Sequence, residues 1–147
     1  MTTIRNSVYI HRSPEDVFDY LVDLRNELEW NPGIESMEKL TDGPIGVGTR
    51  FLAKWKQSKQ VEVECTAYER PRRWVYVNGG PVSVRLSIEL KPQDGGTLLD
   101  SAFDAHPNGW FCLVFPIFVQ VMKRQERQNM INLKAFIEQE TRTQGRG

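Results

Sequence analysis

The sequence predicts an α+β fold: an antiparallel sheet with one apolar face, covered by a single long C-terminal helix. Three observations lead there. From Gly48 to His106 apolar and polar residues alternate with period two, interrupted by Gly- and Pro-containing turns. From Phe115 onward the apolar residues recur at helical spacing instead. A sheet with one apolar face needs a cover, and this last segment is the only predicted element large enough.

The elements follow in order. TIRNSVYIHR places Ile4, Val8 and Ile10 on one side and Arg5, Ser7, Tyr9 and His11 on the other, a half-buried strand. SPEDVFDYLVDL then opens a helix. Ser13 suits the N-cap and Pro14 the first helical position, and Glu15 and Asp16 favour the positive end of the helix dipole. Val17, Phe18, Leu21 and Leu24 make its apolar face. Leu24 to Trp30 suits a second short helix, which Pro32 and Gly33 end.

The following GPIGVG, with Gly43, Gly46 and Gly48, glances at the loops that cradle phosphates. A dinucleotide fingerprint needs a strand before the glycines and a helix after them, and a P-loop needs Lys-Ser/Thr at its end. Here a strand, TRFLAKW, follows. The glycines make a turn.

In that strand Phe51, Ala53 and Trp55 share one face, with Arg50, Lys54 and Lys56 opposite. QVEVECTAYE puts Val61, Val63, Cys65 and Ala67 inside and Glu62 and Glu64 outside. A tight turn near Ser58 would pair Lys54 with Glu62 and Ala53 with Val63. RRWVYV is another strand, whose inward set is either Trp74 and Tyr76 or Val75 and Val77. After NGGP, Val82, Val84, Leu86, Ile88 and Leu90 face in, and Ser83, Arg85, Ser87 and Glu89 face out. PQDGG turns the chain into the last strand, TLLDSAFDAH. Phe115, Phe118, Val119, Met122, Met130, Leu133 and Ile137 then mark the long helix. Pro116 is tolerated in a first turn, which starts the helix near Leu113. It ends near Glu140, and residues 141–147 read as a flexible tail. No repeat or linker divides the chain, so residues 1–147 are expected to form one domain.

Bulk numbers narrow the function. The 147 residues suffice for a core without metal or disulfides. With 19 basic and 19 acidic residues the net charge is zero, which argues against a nucleic-acid partner. Cys65 and Cys112 lack CxxC spacing and sit among apolar residues, so both read as buried small hydrophobes. The N-terminus has no signal-peptide pattern. The most apolar run, Trp110 to Met122, contains Pro116 and falls short of the roughly 20 residues a bilayer crossing needs. No stable membrane insertion is expected, and a cytoplasmic location is.

SPEDVFDYLVD, EWNPGIESM, GPIGVGTRF and YERPRRWVY, in this order and spacing, resemble the START-like helix-grip superfamily (SRPBCC), in its polyketide cyclase/dehydrase-like branch. The resemblance covers about Ile4 to Glu140. It implies a curved antiparallel sheet of about seven strands wrapped around the C-terminal helix, with a cavity between them and the glycine turn beside its mouth. It also implies hydrophobic ligands such as lipids, sterols or polyketides, and in some members cyclisation or dehydration.

The candidate residues divide by face. Asp100, Asp104 and His106 invite a catalytic role, but they share the parity opposite Leu99, Ser101, Phe103 and Ala105. They belong on the solvated face, with the two carboxylates roughly 13 Å apart at about 3.3 Å per residue. His11 reads as a surface residue, and neither histidine has a metal-ligand partner at useful spacing. The inner face offers Phe51, Trp55, Trp74, Tyr76, Leu86, Phe103, Phe115, Phe118, Val119 and Met122 as apolar ligand contacts. Asn6, Cys65, Tyr76 and Ser101 are the polar groups expected among them, and Trp30 stands near an entrance. No inward carboxylate or histidine is expected, no catalytic residue is assigned, and no cofactor or metal is called for. The run Trp110 to Val119 reads as the buried start of the helix; the alternative is an exposed apolar lip.

Binding of a small hydrophobic ligand (lipid, polyketide or aromatic metabolite) is the reading these residues favour, by a monomer or homodimer. The alternatives are a cyclase- or dehydrase-type enzyme on a polyketide-like or aromatic substrate, and a protein-interaction module.

Overall fold

A computed structural model of the chain describes residues 2–56, 59–80 and 82–144; the side chains of residues 110, 111 and 140–144 lie outside that description. Strand β1 (Thr2–Ile10) leads to helix α1 (Pro14–Leu21), a 3₁₀ turn (Leu24–Asn26) and the one-turn helix α2 (Glu27–Trp30). Six strands follow: β2 (Ile34–Lys39), β3 (Arg50–Trp55), β4 (Val61–Glu69), β5 (Arg73–Asn78), β6 (Val82–Gln93) and β7 (Gly96–Pro107). A second 3₁₀ turn (Gly109–Leu113) opens into the long helix α3 (Phe115–Gln144). The seven strands form one antiparallel sheet in the order β1-β7-β6-β5-β4-β3-β2. This is the helix-grip architecture the sequence predicts.

Local chemistry explains the ends of the elements. The Ser13 hydroxyl accepts from the Asp16 amide at 3.2 Å, capping α1 as expected, and α1 buries Val17, Phe18 and Leu21. Between β6 and β7, Asp94 (φ 48°) and Gly95 (φ 79°) both lie in the left-handed region, the two-residue turn that matches the twist of paired strands. At Gly96 a Cβ would meet the Ile10 carbonyl oxygen at 2.5 Å and the Tyr9 hydroxyl at 2.6 Å, so β1 and β7 can close only over glycine.

The buried side chains form two apolar clusters. The larger joins α1 and the sheet to the later part of α3 through Phe18, Phe51, Trp74, Leu99, Leu133 and Ile137. The smaller gathers Ile4 and Ala105 with Phe115, Val119 and Met122 at the start of α3. Helix α3 runs alongside β1, with Met122 in the cluster of Ile4, Lys134 donating to the Tyr9 carbonyl and Glu138 accepting from the His11 amide at 3.1 Å.

Several expectations need correction. Strands β3 and β4 pair Ala53 with Val61 and Phe51 with Val63, two residues off the expected register. The expected turn at Ser58 lies outside the described residues. Arg50 pairs with Glu62 at 2.8 Å, and Lys54 pairs with Glu35. The β4 ladder shifts between Cys65 and Ala67, and beyond it Tyr68 packs on the core. Helix α3 begins at Phe115 and is assigned a turn beyond Glu140. Its entry is not buried throughout: Leu113 is 85% exposed and Ile117 73%, while Phe115 and Val119 turn inward. Cys65 is buried but Cys112 is exposed, because it precedes the part of the helix that the sheet covers.

Candidate functional site

Cross-strand pairing assembles the inner face row by row. Ile4, Phe103, Leu86, Tyr76 and Cys65 are successive partners across β1, β7, β6, β5 and β4. The next row is Asn6, Ser101, Ile88, Trp74 and Tyr68. Partners share a face, which settles the parity of β5: Trp74 and Tyr76 point into the core. Trp74 packs edge-on against Phe18, with centroids 5.0 Å apart, and Tyr76 lies beside Phe51 at 6.0 Å.

The residues expected to line the interior fall in two apolar clusters and the row beside them, and do not all meet in one place. Phe51, Cys65, Trp74 and Tyr76 are buried in the larger cluster, with Trp30, Trp55 and Leu86 half-buried against it. Phe115, Val119 and Met122 belong to the smaller cluster, and Phe103 and Phe118 flank it. Asn6 and Ser101, paired across β1 and β7, sit in the row beside these.

The polar groups differ in how they are satisfied. The Tyr76 hydroxyl donates to the Val22 carbonyl at 2.6 Å, and burial pushes its phenol up. The Cys65 thiol donates to the Ala67 carbonyl at 3.3 Å, and burial raises it too. The Ser101 hydroxyl and the Trp30 indole N–H are buried with no hydrogen-bond partner among the described residues. Unpaired buried polar atoms of this kind are uncommon in native proteins and call for an explanation.

Two further groups overturn the expectation of no inward carboxylate. Glu126 stands four residues after Met122 and four before Met130, so it interrupts the apolar stripe of α3 between the two clusters. Glu27 stands three residues before Trp30 on α2, which packs against α3. Both are half-buried. Burial pushes Glu126 up to about 7, opposed by a hydrogen bond with Asn129. Burial pushes Glu27 up to about 7 as well, and the charge of Glu126 adds to it, opposed by the Asn31 amide at 3.4 Å. The spacing 122–126–130 is visible in the sequence and marks Glu126 as inward-facing.

An open cleft of about 410 Å³ lies elsewhere, between the end of α1 and the β2–β3 loop. Asp19, Asp23, Arg25, Lys39, Gly43 and Tyr68 are among its walls. Its charges are already engaged. Arg70 donates to both oxygens of Asp19 at 2.7 and 2.8 Å and holds that carboxyl below its usual range. Burial opposes ionisation of Asp23, but its bonds with Arg25 outweigh that and hold it low. Lys39 donates to the carbonyls of Thr41 and Gly43 at 2.5 and 2.6 Å. The glycine loop is the β2–β3 connection, and two of its amides are spent internally, Gly46 on Thr49 and Gly48 on the Cys65 carbonyl. The charges of the cleft are thus satisfied within the protein, whereas Ser101 and Trp30 of the grip interior keep polar atoms without a partner among the described residues.

On the outer face Asp104 accepts from Thr3 at 2.5 Å, and Asp100 accepts from Ser7 and faces Lys91 at 3.4 Å. His106 is exposed. Among the described residues no three His, Cys, Asp or Glu side chains gather as metal ligands, and no helix is long and apolar enough to cross a membrane.

Residues 1–138 match the family model described as polyketide cyclase / dehydrase and lipid transport. The chain belongs to that family. Solved structures agree with this family member in fold. Ara h 8.0201 superposes with a TM-score of 0.70 at 19% identity, covering 92% of this chain and 97% of that one. The Aha1 dimer from Colwellia psychrerythraea gives 0.69 at 15% identity, with 94% and 97% covered. The di-domain ARO/CYC StfQ from the steffimycin biosynthetic pathway gives 0.73 at 13% identity, where 95% of this chain matches 51% of StfQ. No curated protein matches the family member in sequence.

Proposed function

We propose that this family member binds a small hydrophobic molecule, a lipid, polyketide or aromatic metabolite, between the inner face of the sheet and α3. The observation that carries the reading is the pair of buried polar atoms, Ser101 Oγ and Trp30 Nε1, that have no hydrogen-bond partner among the described residues, beside the two apolar clusters. Apolar walls with a few unmet polar groups are the usual make-up of a ligand site. Leu86, Phe103, Phe118 and Met122 supply apolar contact, with Asn6 and Ser101 as the polar pair on the sheet. No cofactor or nucleic acid takes part, and the protein works in the cytoplasm as a monomer or homodimer.

Native mass spectrometry of freshly purified protein, compared with its denatured mass, tests this. An added mass that leaves on denaturation supports the reading. A clean mass, together with no binding of an apolar fluorescent probe, refutes it.

One observation favours a second reading, a cyclase- or dehydrase-type enzyme acting on an aromatic or polyketide-like substrate. Burial pushes Glu27 and Glu126 up to about 7, a range in which one carboxyl can give a proton while the other takes one. Turnover of a polyketide-like substrate that falls with Glu27→Gln would support it.

A further inference from the structure

We infer that Glu27 and Glu126 form the head-group end of the interior site and take a protonated amine, so that the ligand is a hydrophobic amine. This rests on the ligand-binding reading above and adds the chemistry of what is bound.

Placement comes first. Along α3, Met122 is level with Ile4 of β1, and Lys134 is level with Tyr9. Glu126 therefore falls opposite the middle of β1, at the row of Asn6 and its partner Ser101. Ser101 is only 3% exposed, stands on the inner face, and its hydroxyl is unpartnered. From the other wall Glu27 and Trp30 lie on one face of α2, three residues apart, and Trp30 carries the second unpartnered atom. Two carboxyls, with a hydroxyl and an indole N–H that have no partner among the described residues, thus share the seam between the apolar clusters.

Charge comes second. Besides burial, the charge of Glu126 and the Asn31 side chain act on Glu27, and the Asn129 side chain acts on Glu126. The titratable groups that act on Tyr76 of β5, which borders this region, are Cys65, Asp23, Glu27 and Tyr68. None is basic. On α3 itself Lys123, Arg124 and Arg127 are exposed, and Lys134 is committed to Glu138 and the Tyr9 carbonyl. A half-buried carboxylate pair lacks its counter-charge here unless protons or a bound cation supply it. An ammonium supplies it, and its remaining N–H can donate to Ser101 Oγ. The exchange balances: the ammonium keeps its protons, and the proton held by the carboxyl pair goes to solvent.

The test titrates two probes of matched shape, 2-naphthylmethylamine and 2-naphthylmethanol, by fluorescence and calorimetry. At about pH 8 the amine is expected to bind about tenfold or more tighter than the alcohol, the gain of a charged hydrogen bond. The advantage should narrow at about pH 5, where the pair holds its protons. Calorimetry at about pH 6.5, where the pair still holds protons, in two buffers of different ionisation enthalpy should show proton release with the amine only. Glu126→Gln and, independently, Glu27→Gln should erase the preference and leave binding of the alcohol. Equal binding of the two probes at high pH, or a preference that survives both substitutions, overturns the inference while the hydrophobic-ligand reading stands. Failure of both probes to bind brings down that reading and this inference with it.

Discussion

Replacing Glu126 by Gln should make the ligand-free protein more stable above neutral pH. The folded state holds the Glu126 carboxyl at about 7, against an ordinary value of 4.5. Between these values the folded chain binds a proton that the unfolded chain has released. Its stability is therefore greatest at low pH, falls as pH rises towards 7, and levels off above. A carboxyl held that far from its ordinary value destabilises the ionised folded state by about 3 kcal/mol at 1.36 kcal/mol per pH unit. Glu126 is half-buried and water relaxes around its charge, so about half of that, roughly 1.5 kcal/mol, is the expected gain. The substitution also removes the charge that raises Glu27, which works in the same direction. Urea unfolding at about pH 5 and pH 8, analysed by linear extrapolation, reads the difference directly. A variant equally stable at pH 5 and more stable at pH 8 fits the reasoning. A variant less stable than wild type at pH 8, or one with the same gap at both, would show that Glu126 is not a buried, uncompensated acid.

Two further outcomes follow from the packing. Tyr76→Phe removes the 2.6 Å bond to the Val22 carbonyl and leaves that acceptor buried without its donor; chemical denaturation should show a loss of about 1–2 kcal/mol. Gly96→Ala pushes a methyl group to 2.5 Å from the Ile10 carbonyl oxygen; the β1–β7 closure should loosen, with about 1–3 kcal/mol lost and faster amide exchange along β1.

The fold was legible because alternation and helical spacing report which face of an element is apolar, and that suffices to order the layers. The same signals are blind elsewhere. A slip of two residues between β3 and β4 keeps Phe51, Ala53, Val61 and Val63 on their faces, so no apolar pattern could separate the two registers. The irregularity after Cys65 replaced Ala67 by Tyr68 on the core, an inversion that alternation cannot foresee. At the entry to α3, apolar residues occupy all sides, and composition alone did not say that Leu113 and Ile117 would face solvent. Of the interior, the inward side of Phe51, Phe103, Asn6 and Ser101 was readable from strand parity, while that of Trp74 and Tyr76 needed the cross-strand partners. Glu27 and Glu126 were not readable, because a carboxylate ordinarily marks a wet surface, and only its place in the stripe of α3 says otherwise.

The sheet order has a consequence for how the chain comes together. Strands β2 to β7 are each beside the next in sequence and can zip as successive hairpins. Strand β1 is different: residues 2–10 pair with residues 97–105, so it must wait, unpartnered, until nearly the whole chain exists. Helix α3, which lies along β1, is made later still. The interior is thus walled by the first strand and the last helix, and is the last part of this fold to assemble. A nascent or truncated chain lacking either end carries an open sheet edge and an uncovered apolar face, the combination that invites association with other chains.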